Sequence, residues 1–372
     1  MNQEKTMFRG REPVLSAYLS AKAAARGIPL SGTFELTSRC NFNCKMCYVH
    51  DNACREELSA DEWIELGRRA VERGMVFLLL TGGEPLLRKD FKQIYSGLKR
   101  LGLMITVNTN GSLIDEEMVD FFVKDAPLRL NISLYGASED TYRNLCGNTS
   151  FGTVIENIRR LREKGIAVKL NCSVTPDNVT DIPQIYRLAK EIGVPVQATS
   201  YMFPPVRING CRYGEAPNRF TAREAAEAQL LCQEQYMTAE QLALSFDARP
   251  VPDMDCTGAE PGPMHCRAGK SAFWIKWNGH MLPCGMLPGE GYSLRELGFD
   301  GAWEAVRRQC VEAREPAQCT NCPKRERCPA CVASCMAESG DSTIRPQYVC
   351  EMISYLDELK SKKYGGDDHG SK

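Results

Sequence analysis

The sequence predicts an α/β fold, an open and partial barrel of six strand–helix units followed by a small cysteine-rich domain. Three observations carry this. Between Gly32 and Tyr201, apolar strand-like runs alternate six times with helical segments, most of which close on glycine. The unusual short motifs of that stretch fall at the carboxyl ends of its strands, where such folds place their ligands. Beyond Thr221 the alternation stops and the cysteines crowd, positions 256–350 holding nine of the chain's eighteen in addition to Cys310.

In chain order, the expected strands are residues 33–36, 76–80, 104–107, 128–134, 168–174 and 194–199. The first helix begins at Ser59, an N-cap with Asp61 and Glu62 in the first turn, and Gly74 closes it. The next helix spans 90–101 and ends at Gly102; another spans 115–124, after the Asn110-Gly111 turn. Two more, 150–164 and 181–192, end at Gly165 and Gly193. Six units are too few for a closed eight-stranded TIM barrel and suit a partial (β/α)6 barrel. A helical stretch over 221–241 leads into the linker Arg249-Pro250-Val251-Pro252-Asp253. The expected organisation is an N-terminal extension (1–30), the barrel (31–245), the cysteine-rich domain (250–360) and a disordered tail (361–372).

The 372 residues are 43% hydrophobic and 25% charged, ordinary for a globular protein. A formal net charge of -1 argues against a nucleic-acid groove or a polybasic membrane anchor. No apolar run approaches the ~20 residues of a membrane span, and the polar first ten residues lack a signal-peptide core, so a cytoplasmic location is expected. A reducing compartment disfavours a disulfide framework, and short spacings favour metal binding. Six cysteines stand singly (Cys54, Cys146, Cys172, Cys211, Cys232 and Cys310) and read as small core residues.

The most informative motif is Cys40-x3-Cys44-x2-Cys47. Three thiolates on one short loop can hold three corners of a cubane iron–sulfur cluster and leave the fourth iron open, and an open metal position is the mark of a catalytic site. A zinc site would want a fourth ligand, for which His50 is the only nearby candidate. After the second strand comes Thr81-Gly82-Gly83-Glu84-Pro85, after the third Asn108-Thr109-Asn110-Gly111, after the fourth Ser133-Leu134-Tyr135-Gly136, and after the fifth Thr175-Pro176-Asp177-Asn178.

Over roughly residues 31–240 this arrangement resembles the radical S-adenosylmethionine (radical SAM) superfamily. The resemblance implies that Cys40, Cys44 and Cys47 ligate a [4Fe-4S] cluster whose open iron chelates S-adenosylmethionine. One electron then cleaves the sulfonium, giving methionine and a 5′-deoxyadenosyl radical that abstracts a hydrogen atom. Gly82, Gly83 and Glu84 resemble the family's motif for the methionine amino group, and Ser133 its strand-end serine near the ribose and carboxylate. Asn108, Asn110 and Asn171 are expected polar contacts inside the barrel, and Tyr48 a contact to adenine. Met46 departs from the pattern, standing where the family often has an aromatic residue.

The cysteine-rich part resembles the SPASM extension of these enzymes, which holds two auxiliary [4Fe-4S] clusters, three clusters in all. The resemblance implies Cys256, Cys266, Cys284 and Cys331 (or Cys335) for the first, and Cys319, Cys322, Cys328 and Cys350 for the second. Spacing alone also allows a zinc knuckle of Cys319, Cys322, Cys328 and Cys331.

The resemblance therefore implies a radical SAM/SPASM oxidoreductase that modifies a ribosomally made peptide or protein by a thioether, a carbon–carbon cross-link or epimerisation. The alternatives are a small-metabolite substrate such as a tetrapyrrole, whose carboxylates Arg207 and Arg212 would pair, and a non-enzymatic iron–sulfur or zinc-binding regulator. For both arginines a solvated surface position is the simpler reading. Formylglycine-forming maturases carry an aspartate where Gly285 follows Cys284, which disfavours that reaction. Strand periodicity turns Cys172 away from Asn171 and Ser173, so a core role is expected for it, and the hydrogen donor or acid/base group is unassigned. The expected partners are the substrate and an electron donor such as flavodoxin or ferredoxin. Only about thirty residues precede the first strand, so leader recognition would fall to a separate leader-peptide-binding protein.

Overall fold

The computed structural model describes residues 14–49, 56–205, 207, 212–247, 249 and 260–365. Cys54, Cys211, Cys256, His50, most of the expected linker and the end of the expected tail lie outside the described residues.

Helix α1 (Val14–Ala25) precedes the alternation. The barrel then runs β1 (Ser31–Glu35), α2 (Ala60–Glu72), β2 (Phe77–Thr81), α3 (Phe91–Arg100), β3 (Met104–Thr109), α4 (Glu116–Lys124), β4 (Arg129–Ser133), α5 (Glu139–Cys146), α6 (Phe151–Glu163), β5 (Val168–Ser173), α7 (Ile182–Ile192) and β6 (Val196–Thr199). The remainder is α8 (Ala222–Glu234), α9 (Ala239–Ala243), β7 (Gly262–Pro263), β8 (Ala272–Ile275), β9 (His280–Leu282), β10 (Tyr292–Ser293), α10 (Leu294–Glu312), β11 (Arg314–Glu315), α11 (Ala317–Thr320), α12 (Val332–Ser339) and α13 (Gln347–Tyr364).

The six predicted strands all form, and β1 to β6 pair in sequence order, every pair parallel. Alternation along each strand sorts its side chains. In β5, Val168, Leu170 and Cys172 are buried under the helices, whereas Lys169, Asn171 and Ser173 are half-buried and point into the barrel. The helix side is built from large residues such as Phe34, Leu80, Ile105 and Ile132, with the Trp63 ring of α2 tilted against Phe34 at 4.9 Å.

Two features go beyond the sequence reading. β8 pairs parallel with β1 and continues into the antiparallel β9 and β10, so strands from the cysteine-rich segment extend the barrel's own sheet past its first strand. The segment also carries long helices that its cysteine pattern hid: α10, kinked at Gly298, and α13, which packs along α8.

Ser59 caps α2 reciprocally, its Oγ accepting the Glu62 amide at 3.3 Å while Glu62 Oε2 accepts the Ser59 amide at 2.8 Å. Replacing Ser59 by alanine is expected to lower stability by about 1 kcal/mol in urea titration, with no change in the barrel site.

Candidate active site

The loop after β1 is clipped to the loop after β2. The Gly83 amide donates to the Thr37 carbonyl and the Glu84 amide to the Arg39 carbonyl, both at 2.8 Å. The approach requires glycine. A Cβ on Gly82 would stand 2.6 Å from the Thr37 oxygen, and one on Gly83 would stand 2.7 Å from the Ser38 oxygen and closer still to Arg39. On the other side the cysteine loop is tied to α5, the Asn43 amide donating to the Cys146 carbonyl at 2.9 Å and the Lys45 amide to Leu145 at 3.0 Å. Lys45 also pairs with Asp177 of the loop after β5 at 2.8 Å.

Cys40, Cys44 and Cys47 all border one cavity of 340 Å³ at the carboxyl ends of the strands. Tyr48, Gly82, Gly83, Asn108, Ser133 and Asn171 line the same cavity, joined by Tyr135, Gln197 and Thr199, which the sequence reading did not assign. Burial pushes the Cys40 thiol up to about 12, with Glu84, Cys44 and Cys47 adding in the same direction. Cys44 is raised too, first by a hydrogen bond with Cys146 and then by burial. Cys146, expected as a core residue, is indeed fully buried, but its thiol lies beside a cysteine of the motif.

Glu84 stands apart. It is fully buried and does not border the cavity. Its carboxylate accepts the Asn110 amide at 2.7 Å, Thr109 Oγ1 at 2.8 Å and the Leu86 amide at 3.0 Å. Those bonds tie the ends of β2 and β3 behind Gly82 and Gly83. Asn110 does line the cavity, and its side chain is tied to the cysteine loop, Nδ2 donating to Asn41 Oδ1 at 2.8 Å. Burial raises the Glu84 pKa from 4.5 to about 7, against its hydrogen bonds. The folded state therefore binds the proton more tightly than the unfolded chain, and stability falls as pH rises from 4.5 towards 7. Glu84→Gln is expected to flatten that segment of a stability-against-pH curve measured by thermal unfolding. It also presents an amide to backbone donors, costing about 1–3 kcal/mol at pH 7.

These residues fit a cubane cluster and a small polar cofactor. Three thiols border the cavity, two glycines leave backbone exposed without side chains, and the buried Asn171 Oδ1 has no hydrogen-bond partner among the described residues.

Two further groups of thiols occupy the C-terminal part. Cys319, Cys322, Cys328 and Cys350 border one small cavity with Lys324, Arg325 and Arg345. Cys331, rather than joining them there, caps the start of α12 in extended conformation and lies within electrostatic reach of both Cys266 and Cys284. Cys335 is 1% exposed inside α12. Among the described residues, no three His, Cys, Asp or Glu side chains are grouped to hold a single metal ion. Between the two thiol groups, Glu315 binds the His265 amide at 3.0 Å and pairs with Arg325.

Neither reading of Arg207 holds. It is neither solvated nor free for a ligand, because it forms a bidentate pair with the fully buried Glu35 at 2.8 and 3.0 Å. Arg212 is solvent-exposed, 3.7 Å from Glu215. Cys172 is 2% exposed and packs in the core, and it also borders the cavity, which strand alternation alone does not suggest.

Residues 34–189 match the Radical SAM superfamily. The chain is 27% identical over 323 residues to the AdoMet-dependent heme synthase of Methanosarcina barkeri, covering 83% of this chain and 92% of that protein. It is 32% identical over 166 residues to the Fe-coproporphyrin III synthase of the same organism, covering 44% and 41% of the two chains. Among solved structures, native anSMEcpe with bound AdoMet superposes with a TM-score of 0.69 at 16% identity, over 90% of this chain and 98% of that one.

The barrel and its cysteine site thus define a radical SAM enzyme, one that uses a [4Fe-4S] cluster and S-adenosylmethionine. Beyond that domain, the chain shares the fold of anSMEcpe over 90% of its length, the cysteine-rich part included. This sets aside the regulatory-protein alternative. No helix among the described residues is long and apolar enough to cross a membrane.

Proposed function

We propose that this radical SAM enzyme acts on a tetrapyrrole carboxylic acid, taking a hydrogen atom from a substrate side chain. The observation that carries this is the similarity to an AdoMet-dependent heme synthase over 92% of that protein's length, barrel and cysteine-rich part together. Modification of a ribosomally made peptide, the first expectation from the sequence, rests on likeness to structures such as anSMEcpe with a bound Cp18Cys peptide, and at 16% identity that likeness carries fold alone. The site also resists the acidic base of formylglycine-forming maturases. A Cβ on Gly285 would stand 2.7 Å from the Trp274 ring, and Arg207 Nη1 donates to the Gly285 carbonyl at 3.0 Å.

On this reading Cys40, Cys44 and Cys47 hold the cluster, and Gly82 and Gly83 present backbone to the methionine amino group. Ser133, Asn108, Asn171 and Tyr48 surround the rest of the cofactor. When bound, the cluster and S-adenosylmethionine supply, with one electron, methionine and a radical that leaves as 5′-deoxyadenosine after taking the substrate hydrogen. Cys266, Cys284 and Cys331, with Cys256, are assigned to one auxiliary cluster, and Cys319, Cys322, Cys328 and Cys350 to the other. A small external donor of the flavodoxin or ferredoxin type supplies the electron.

The test is anaerobic turnover with iron coproporphyrin III deuterated on its propionate side chains. Deuterium is expected in the released 5′-deoxyadenosine, read by mass spectrometry. Turnover without deuterium transfer, in protein carrying full iron and sulfide, would sink the tetrapyrrole assignment.

A further inference from the structure

We propose that Arg129 and Lys169, inside the barrel beside the cavity, form a binding element for a substrate carboxylate. The proposal deepens the tetrapyrrole reading and rests on it for the kind of acid, though not for the anion site itself.

Both residues occupy inward-facing positions, Arg129 opening β4 and Lys169 the second residue of β5. Register brings them together: Thr106 stands opposite Arg129, and Asn131, two residues on, stands opposite both Asn108 and Lys169. Their partners are neutral. Arg129 Nε donates to Asn131 Oδ1 at 2.9 Å, and Asn131 Nδ2 donates in turn to Asn108 Oδ1 at 2.8 Å. Lys169 Nζ donates to Gln197 Oε1 at 2.6 Å. Asn108 and Gln197 both line the cavity, so each cation is one side chain removed from it.

The charge pattern sets the pair apart from most cations of the interior. Arg88 is matched with Asp90, Arg207 with Glu35, Arg219 with Glu338 and Lys324 with Asp357, while Lys360 donates to Ser245. Arg129 and Lys169 form no ion pair with a carboxylate of the described residues, and the pKa of half-buried Lys169 is lowered by burial and then by Arg129, with no acid opposing. Two neighbouring cations in a partly desolvated interior repel each other, and an anion bridging them relieves both. Each is held in place by an amide, Arg129 with its guanidinium nitrogens beyond Nε turned to no carboxylate, the fork that suits a carboxylate. The cavity lining carries no formal charge besides thiols, so the pair is where an acidic side chain entering the barrel would be recognised.

The test uses the full chain loaded with clusters and S-adenosylmethionine. Iron coproporphyrin III is expected to bind at least tenfold tighter than its tetramethyl ester. Arg129→Gln and Lys169→Gln should each weaken the acid about tenfold and leave the ester unchanged. Independently, limited acetylation followed by mass spectrometry reads Lys169 directly, and both the porphyrin acid and benzene-1,3,5-tricarboxylate are expected to protect it. Protection by the tricarboxylate without porphyrin binding overturns the tetrapyrrole reading and keeps the anion site. Acid binding unchanged in both variants, or Lys169 unprotected by either acid, overturns the anion site.

Discussion

Cleavage of S-adenosylmethionine is expected to fall at least a hundredfold when Gly83 is replaced by alanine. The added methyl would sit 2.7 Å from the Ser38 carbonyl oxygen, with the Arg39 carbonyl nearer still, and both neighbours are backbone that no rotamer change relieves. The two loops must part, breaking the Gly83-to-Thr37 and Glu84-to-Arg39 hydrogen bonds that hold the segment immediately before Cys40. Overpacking of this kind costs about 1–3 kcal/mol. A displacement near 1 Å at a reacting centre costs on the order of a hundredfold in rate. The measurement is reductant-dependent release of 5′-deoxyadenosine per loaded cluster. Gly102→Ala is the control: its φ of +84° strains alanine, but nothing lies within 4 Å, so stability drops and cleavage holds. A Gly83→Ala protein with full iron content and wild-type cleavage would mean that the clip between the two loops does not position the site.

The parts of this architecture that sequence exposed are those whose physics is local. Strand periodicity, glycine stops and the spacing of Cys40, Cys44 and Cys47 are each written within a dozen residues, and the six strands follow them. What stayed hidden depends on partners far along the chain. Glu84 reads as a ligand because it follows two glycines, yet its carboxylate is engaged by Thr109 and Asn110, 25 and 26 residues on. Helix α5 is short and escaped notice, although Ser138 ahead of Glu139 and Asp140, with Gly147 at the far end, is a complete set of start and stop signals. Cys331 and Cys335 are four residues apart, a spacing that puts both on one helical face if both are helical. The observed start of α12 distinguishes them: Cys331 is the cap, within electrostatic reach of Cys266, Cys284 and Cys328, while Cys335 is inside the helix.

Replacing Arg207 by methionine is expected to destabilise the protein by about 3–5 kcal/mol, the cost of stranding a buried charge. Glu35 is fully buried at the end of β1, and besides both arms of Arg207 its side chain accepts, among the described residues, only the Trp274 indole N–H, at 2.8 Å. Arg207 in turn bonds the Gly285 carbonyl, next to Cys284, and Tyr48, next to Cys47, lies within electrostatic reach of both members of the pair. The pair therefore ties the first strand to the chain beside Cys284, with Tyr48 of the cysteine loop within electrostatic reach. Removing both charges, as in Glu35→Leu/Arg207→Met, is expected to recover most of the loss, because no buried charge is left unpaired. Urea titration of the two single variants and the double variant gives the coupling energy. A single Arg207→Met variant as stable as wild type would show that water reaches Glu35 and that the junction between barrel and extension is not held there. If stability is lost as expected, and Cys284 holds iron as proposed, iron retention should fall in parallel, since the same guanidinium anchors the chain beside that thiol.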